Sequence, residues 1–90
     1  MDWNRFLLIA ANNGNLAMVD EAILRGADIH THDDGPLGVA CHKGHFEVVV
    51  YLVENGANVH ADNYDALMAA YYAGHFRIVN YLIKQGITIH

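Results

Sequence analysis

The stretch from Gly44 to Ala57, GHFEVVVYLVENGA, decides the fold because its pattern occurs three times in the chain. The copies lie 30 residues apart and hold register throughout. The recurring positions are Gly14, Gly44 and Gly74; Gly26, Gly56 and Gly86; Leu16, Phe46 and Phe76; Val19, Val49 and Val79; Ile23, Val53 and Ile83; Leu7, Leu37 and Leu67; Ala10, Ala40 and Ala70; and His30, His60 and His90. A fixed period of this kind indicates a repeat protein, in which each copy packs mainly against its neighbours.

Each copy predicts two short amphipathic helices joined by a glycine turn. Asp2 and Asp65 are good N-cap residues, and Pro36 suits the first position of a helix. The predicted helices are Trp3 to Asn13, Leu16 to about Arg25, Pro36 to Lys43, Phe46 to Asn55, Ala66 to Ala73, and Phe76 to Gln85. Gly26, Gly56 and Gly86 are placed as left-handed caps that end the second helix of each copy.

The composition is that of a globular protein, since 53% of the 90 residues are hydrophobic and 17% are charged. The single cysteine, Cys41, excludes an internal disulfide and fits a reducing compartment. No secretory signal is visible, and no stretch approaches the roughly 20 apolar residues of a membrane span. We therefore expect a cytoplasmic protein that does not enter a membrane.

The charge pattern argues against a nucleic-acid partner and favours a basic protein surface. The formal net charge is −5, and the five basic residues are scattered: Arg5, Arg25, Lys43, Arg77 and Lys84. Half of the ten acidic residues fall in the connections between copies: Asp28, Asp33, Asp34, Asp62 and Asp65. One edge of the array is therefore expected to be negative and to steer a basic partner towards it.

The copies resemble ankyrin repeats. The matching residues are Gly44-His45-Phe46-Glu47-Val48-Val49, Gly56-Ala57-Asn58-Val59-His60-Ala61, Gly26-Ala27-Asp28-Ile29 and Gly74-His75-Phe76. The resemblance implies an all-α ankyrin-repeat solenoid of three helix-turn-helix repeats, about 2–31, 32–61 and 62–90, within a single domain, 1–90. The period is shorter than the family's usual one, so we expect tight inter-repeat loops rather than projecting hairpins. Short repeats of this kind are similar to the ankyrin arrays of large DNA viruses, which suggests inhibiting or scaffolding a host protein.

The resemblance also implies a binding site, because ankyrin proteins contact partners through inter-repeat loops and through the end of the first helix of each repeat. The positions expected on the concave face or in the loops are Asn12, Asn13, His32, Asp33, Asp34, His42, Lys43, Asp62, Tyr64, Asp65 and Tyr72. Tyr72 is either an aromatic anchor for the partner or a side chain packed on a neighbouring helix. Tyr71, in the column of Ala11 and Cys41, is expected in the core.

Catalytic and metal sites find little support in the sequence. No nucleophile has a paired base at readable spacing and there is no glycine-rich phosphate loop, so no enzyme activity and no cofactor are predicted. Cys41 reads as a small core residue, with a reactive thiol as the alternative. His45 and His75 match the structural Gly-His turn of the family. A metal cluster of His30, His32, Asp33 and Asp34 is the alternative to a solvated polar loop.

The C-terminal helix keeps its aliphatic residues although no further copy follows in the sequence. Terminal repeats normally carry a polar outer face because nothing stacks on them. We expect Val79, Leu82 and Ile83 to turn inward and Ile78 and Tyr81 to stay exposed. The exposed pair predicts an alternative function, in which the chain is a self-associating structural unit that forms a homodimer through this repeat.

Overall fold

The computed structural model describes residues 1–86, except for the side chain of Asn63, and within that range it contains six helices and no strand. The helices are α1 (Trp3–Asn13), α2 (Leu16–Leu24), α3 (Thr31–Lys43), α4 (Phe46–Glu54), α5 (Ala61–Ala73) and α6 (Phe76–Lys84). The predicted all-α array of three helix-turn-helix repeats is confirmed. Residues 87–90, with His90 of the recurring histidine column, lie outside the described part, and the repeat boundaries stay a prediction.

The helices form two parallel layers along an elongated body of 41 × 19 × 18 Å. The inner layer is α1, α3 and α5, each packed on the next, and the outer layer is α2, α4 and α6. Within each repeat the inner helix also packs on its own outer helix. Each repeat therefore buries its apolar residues against the repeats beside it.

Local hydrogen bonds explain where the helices of the first repeat begin. Asp2, the predicted N-cap of α1, accepts a hydrogen bond from the backbone N–H of Arg5 at 3.1 Å. Asn15 caps α2 in the same way through the N–H of Met18, also at 3.1 Å. Both side chains satisfy donors that the first turn of a helix leaves free.

Helices α3 and α5 begin earlier than predicted because the inter-repeat loop winds into a left-handed turn. His32, Asp33 and Asp34 have φ of 56°, 54° and 60°, so the regular right-handed part of α3 follows Asp34. In α5, Asp62 and Tyr64 also have positive φ. The prediction that Asp65 caps the third inner helix is wrong, because α5 starts at Ala61 behind His60 and Asp65 faces the neighbouring α3.

The core follows the repeated apolar columns. The buried residues include Leu7, Leu37 and Leu67, then Ala10, Ala40 and Ala70, which are the predicted inner-helix columns. Cys41 is completely buried, as expected of a small core residue. Tyr71 is the exception: 54% of its surface is exposed, so its prediction as a core residue is wrong. Ala11 and Cys41 are covered by the repeat that follows them, and no described residue covers Tyr71 in this way.

The outer helix of the third repeat is rotated relative to the prediction. Ile78 is only 1% exposed, so the expectation that it forms an open dimer surface is wrong, and Tyr81 is half-buried. Leu82 is buried as expected and Val79 is half-buried, but Ile83 is 44% exposed. Ile78 and Leu82 belong to the buried core, whereas Ile83 lies on the side of α6 next to the exposed residues Met68 and Tyr71. Over the described range none of the helices has both the length and the apolar character that a membrane crossing requires.

Candidate functional site

A groove between α3 and α5 brings together five of the predicted binding residues from two repeats. These are His32, Asp33, His42, Asp62 and Asp65. The groove has a volume of about 330 Å³ and opens on the inner-helix side of the array. The sequence placed these residues in separate loops and helix ends, and the stacking of α3 on α5 makes them one surface.

Small residues create the space for this groove. Gly35, Gly38, Val39 and Ala69 line it between the polar side chains. A Cβ added at Gly38 would lie 3.3 Å from Oδ2 of Asp65, which is tighter than an ordinary contact. A larger residue at Gly38 would therefore press on Asp65 and narrow the groove.

The groove is acidic. It is lined by the three carboxylates of Asp33, Asp62 and Asp65, and neither lysine nor arginine is among its described lining residues. The two histidines, His32 and His42, are the remaining titratable groups. Carboxylates grouped in a concave surface reinforce each other's potential, and this favours the approach of a positively charged ligand group.

Asp34 was predicted as a partner-binding residue, but the structure gives it an internal role. Its side chain is buried, and Oδ1 accepts hydrogen bonds from the backbone N–H of Asn58 at 3.0 Å and from Nδ1 of His30 at 2.9 Å. A buried carboxylate that already accepts two intramolecular hydrogen bonds is poorly placed to bind a partner. Its prediction as a surface binding residue is therefore corrected.

The remaining predicted binding residues lie outside the groove. Asn12, Asn13 and Lys43 are exposed in the last turns of α1 and α3. Tyr64 contacts His60 edge-on, with ring centroids 5.4 Å apart. Tyr72 is 78% exposed and touches only Tyr71 among the described aromatic rings, so it is not packed against a neighbouring helix through its ring.

His45 and His75 form structural contacts between repeats. Nε2 of His45 donates to the carbonyl oxygen of Asn12 at 2.9 Å, and Nε2 of His75 donates to the carbonyl oxygen of His42 at 3.1 Å. Each ring thereby satisfies a carbonyl at the end of the preceding inner helix, where intrahelical partners are missing. The structural interpretation of the Gly-His turn agrees with this geometry.

The polar loop of the first connection does not form a metal site in the described structure. Asp34 is turned inwards, while Nδ1 of His32 lies 3.0 Å from the hydroxyl of Thr31. Across residues 1–86, no group of three His, Cys, Asp or Glu side chains is arranged to hold a metal ion. The metal alternative therefore has no geometric support there.

Cys41 does not carry the features of a reactive thiol. Burial raises the pKa of the Cys41 thiol to about 12, and the negative charge of Asp65 adds to the shift. A nucleophilic cysteine needs a thiolate at neutral pH and access to solvent. Cys41 has neither a lowered pKa nor access to solvent. Its small side chain is completely buried in the core.

A second groove, on the outer helices, was missed by the sequence analysis. It is lined by Leu16, Phe46, Glu47, Val50, Tyr51, Glu54 and Arg77. The guanidinium carbon of Arg77 lies 3.7 Å from the centre of the Phe46 ring, a cation–π contact between repeats. The hydroxyl of Tyr51 donates to Asp20, and this hydrogen bond raises the pKa of Tyr51. The recurring apolar column that contains Leu16 and Phe46 was the feature of the sequence that could have indicated this groove.

Comparison with known proteins supports the repeat assignment. A family model described as ankyrin repeats, in three copies, matches residues 7–90. No curated protein matches the chain significantly. Ankyrin repeats are protein–protein interaction modules, and the family is of a non-enzymatic type.

Proposed function

We propose, from the premise that this chain belongs to the ankyrin-repeat family, that it binds a partner protein through the groove between α3 and α5 and catalyses no reaction of its own. The partner contributes a basic segment to the groove. A cytoplasmic location, and the inhibition or scaffolding of a host protein, are part of the proposal and rest on the family resemblance alone.

The observation that carries the proposal is the convergence of three carboxylates from two repeats on one concave surface. Asp33 comes from α3, and Asp62 and Asp65 come from α5. Because no lysine or arginine lines the groove among the described residues, these charges are available to lysine or arginine side chains of a partner. The packed helices hold the surface in place, so little conformational entropy is lost on binding.

Exposed residues outside the groove are the further part of the proposed surface. Tyr72 is the proposed aromatic anchor, with Tyr64 from the start of α5 and Lys43, Asn12 and Asn13 from the ends of the inner helices. Interface hot spots are enriched in tyrosine because its ring offers a large contact area with two side-chain torsions. Replacing Tyr72 with alanine is expected to cost about 2 kcal/mol of binding free energy.

Random peptides displayed on phage provide a direct test, since they make no assumption about the partner. We expect the selected peptides to be rich in lysine and arginine and to bind more weakly as salt is raised. The double variant Asp33→Asn/Asp65→Asn should bind them roughly tenfold more weakly, because each lost exposed charge pair contributes up to about 1 kcal/mol. Asparagine tolerates the left-handed backbone that the structure shows at Asp33.

The matched control is the double variant Glu47→Gln/Glu54→Gln, which removes the same charge from the outer-helix groove. Its affinity for the selected peptides should equal that of the unmodified chain. Peptides without basic residues, peptides insensitive to the groove variant, or the absence of any selected peptide would each contradict the proposal.

Self-association through the last repeat was the alternative function. Its predicted surface rested on Ile78 and Tyr81, but Ile78 is buried and Tyr81 is half-buried. These two residues therefore do not form the open surface that was predicted for them.

A further inference from the structure

An open apolar cleft lies between α5 and α6 at the C-terminal end of the array. It is lined by Leu67, Met68, Tyr71, Val79 and Ile83 and has a volume of about 300 Å³. These are the third-repeat equivalents of a set of positions that recurs 30 and 60 residues earlier: Leu37, Gly38, Cys41, Val49 and Val53, and Leu7, Leu8, Ala11, Val19 and Ile23. The cleft is thus the stacking face of the third repeat.

The corresponding faces of the first two repeats are covered by the repeat that follows. Ala11 and Cys41 are completely buried, and so are Val19 and Val49. In the third repeat Met68, Tyr71 and Ile83 are exposed, and no described residue covers them. The cleft therefore continues the interface that already holds the repeats of this chain together, with one side of that interface open.

A regular further repeat does not fit this face. Tyr71 occupies the position of Ala11 and Cys41 in the first two repeats. Those two small residues let the next repeat pack so closely that they are completely buried. Met68 is less restrictive, because Leu8 occupies the same position of the first repeat and packs close to Gly35 of the second repeat. The Tyr71 side chain therefore occupies the space that the next inner helix would need at the spacing found within this array.

The opposite end of the array does not complement the cleft either. Tyr51 and Tyr81 reach back to the preceding repeat, through a hydrogen bond to Asp20 and a ring contact of 5.8 Å with Phe46. The equivalent residue of the first repeat is Glu21, which forms an ion pair of 3.0 Å with Arg25. Head-to-tail stacking of two copies would have to desolvate this charged pair, which opposes it.

We propose that the C-terminal cleft binds the same cleft of a second copy of this chain, forming a two-fold symmetric dimer. Aromatic rings around the cleft suit such a contact. Tyr71 lies 5.5 Å from the Tyr72 ring and 6.2 Å from the Phe76 ring, and both of these neighbours are exposed. An isologous contact of one apolar face with itself closes after two copies and does not grow into a filament. This goes beyond the proposed function, and the residues that line the cleft differ from those that line the groove between α3 and α5.

The dimer is expected to be weak. The two short extents of the body, 19 and 18 Å, give the end face a projected area of roughly 340 Å². Stable interfaces bury about 800 Å² on each partner, so the cleft supports a concentration-dependent association rather than a permanent one. The monomer and the dimer should therefore exchange within the range of an ordinary dilution series.

Sedimentation equilibrium of the 90-residue chain from about 1 µM to about 1 mM tests the proposal. We expect a monomer–dimer equilibrium with no larger species. Ile83→Glu should weaken dimerisation at least about tenfold by placing a charge in the contact, and Tyr71→Lys should do the same. Both positions are exposed in the protomer, and circular dichroism should show unchanged helix content.

The matched control is Leu24→Glu, which makes the same kind of change on an exposed outer-helix residue. The position is equivalent to Glu54 and Lys84, so a charged residue is compatible with the fold there, and the dimer should persist. The proposed groove is independent of the cleft, so Ile83→Glu should keep its affinity for basic peptides. Failure of one proposal is thereby separated from failure of the other.

Three results would overturn the dimer. The first is a chain that stays monomeric at every concentration. The second is growth beyond a dimer, with concentration-dependent amide shifts at Glu21 and Arg25 at the opposite end of the array, which would indicate head-to-tail stacking. The third is a dimer that Ile83→Glu and Leu24→Glu weaken equally.

Discussion

At the scale of single residues, a contact between a histidine ring and a glycine joins each repeat to the next. The His75 ring lies against Gly44 and the His45 ring against Gly14, and each ring binds a carbonyl at the end of the preceding inner helix. Gly44 also has φ of 81°, the left-handed region that residues with a Cβ avoid. The glycine is therefore required for two separate reasons, backbone conformation and the space for a ring.

Gly44→Ala and Gly74→Ala separate these two reasons. Gly74 has nearly the same φ, 82°, but a Cβ there would meet nothing within 4 Å, whereas a Cβ at Gly44 would lie 2.6 Å from the His75 ring. We expect Gly74→Ala to lower the free energy of unfolding by about 1 kcal/mol through backbone strain. Gly44→Ala should cost about 2 kcal/mol, because the ring must also shift from its hydrogen bond. Urea unfolding gives both values.

The double variant Gly44→Ala/His75→Ala completes the comparison. With the ring removed, the extra cost of Gly44→Ala over Gly74→Ala should vanish, since only backbone strain remains. Equal costs for the two single variants would show that the His75 contact places no constraint on Gly44.

At the scale of elements, Asp34 ties the start of α3 to the loop that follows α4. Its carboxylate binds the N–H of Asn58, and Asn4 binds the N–H of Asp28 in the same way at 2.7 Å in the first repeat. These two acceptors are 30 residues apart, so the same hydrogen bond occurs at equivalent positions of the first two repeats. Each one fixes the inner helix of a repeat relative to the segment leading into the next.

Alanine substitution at Asp34 is expected to be more costly than at its neighbour Asp33. Both residues have left-handed φ, 60° and 54°, so the two substitutions share the same backbone penalty. Only Asp34→Ala removes the acceptor of the part-buried hydrogen bond from the N–H of Asn58, and the difference should be about 1–3 kcal/mol in the free energy of unfolding. Asp34→Asn, which keeps an oxygen acceptor, should recover part of it.

Thermal or chemical unfolding of the three variants measures this difference. The exposed Asp33 serves as the internal control because it makes no intramolecular hydrogen bond through its side chain in the described structure. An Asp34→Ala variant no less stable than Asp33→Ala would mean that the bond to Asn58 does not hold the repeats in register.

At the scale of the whole molecule, stability should be distributed unevenly along the array. The second repeat, α3 and α4, packs on a repeat on each side, whereas the third repeat packs on one side only among the described residues. In repeat proteins the stability of a repeat is approximately the sum of its intrinsic folding free energy and the free energies of its interfaces with the neighbouring repeats. The middle repeat has two such interfaces and the third has one.

Amide hydrogen exchange followed by NMR tests this distribution. We expect the slowest amides in α3 and α4 and faster exchange in α5 and α6, because the end repeat opens with the loss of one interface. The Ile83→Glu variant at low concentration avoids any protection by a second copy. Slowest exchange in α6, or uniform rates throughout, would contradict this account.

The sequence alone determined the period, the helix pairs and the core columns, because these depend on local signals: glycines at fixed offsets and apolar residues at helical spacing. The helix ends at Asn13 and Lys43 and the burial of Cys41 follow from the same signals. It also identified Asp33, Asp62 and Asp65 as a negative edge, since charge is a property of composition.

Only the tertiary structure decided which exposed residues share a surface and which polar residues are used internally. Asp33 and Asp34 are adjacent and chemically identical, yet one lines a groove and the other is buried on Asn58, because side-chain direction depends on the left-handed turn. Tyr71 was expected to be buried and is exposed, and Ile78 was expected to be exposed and is buried, for a related reason. Burial at the end of an array depends on which face the neighbouring repeat covers, and periodicity within one repeat does not contain that information.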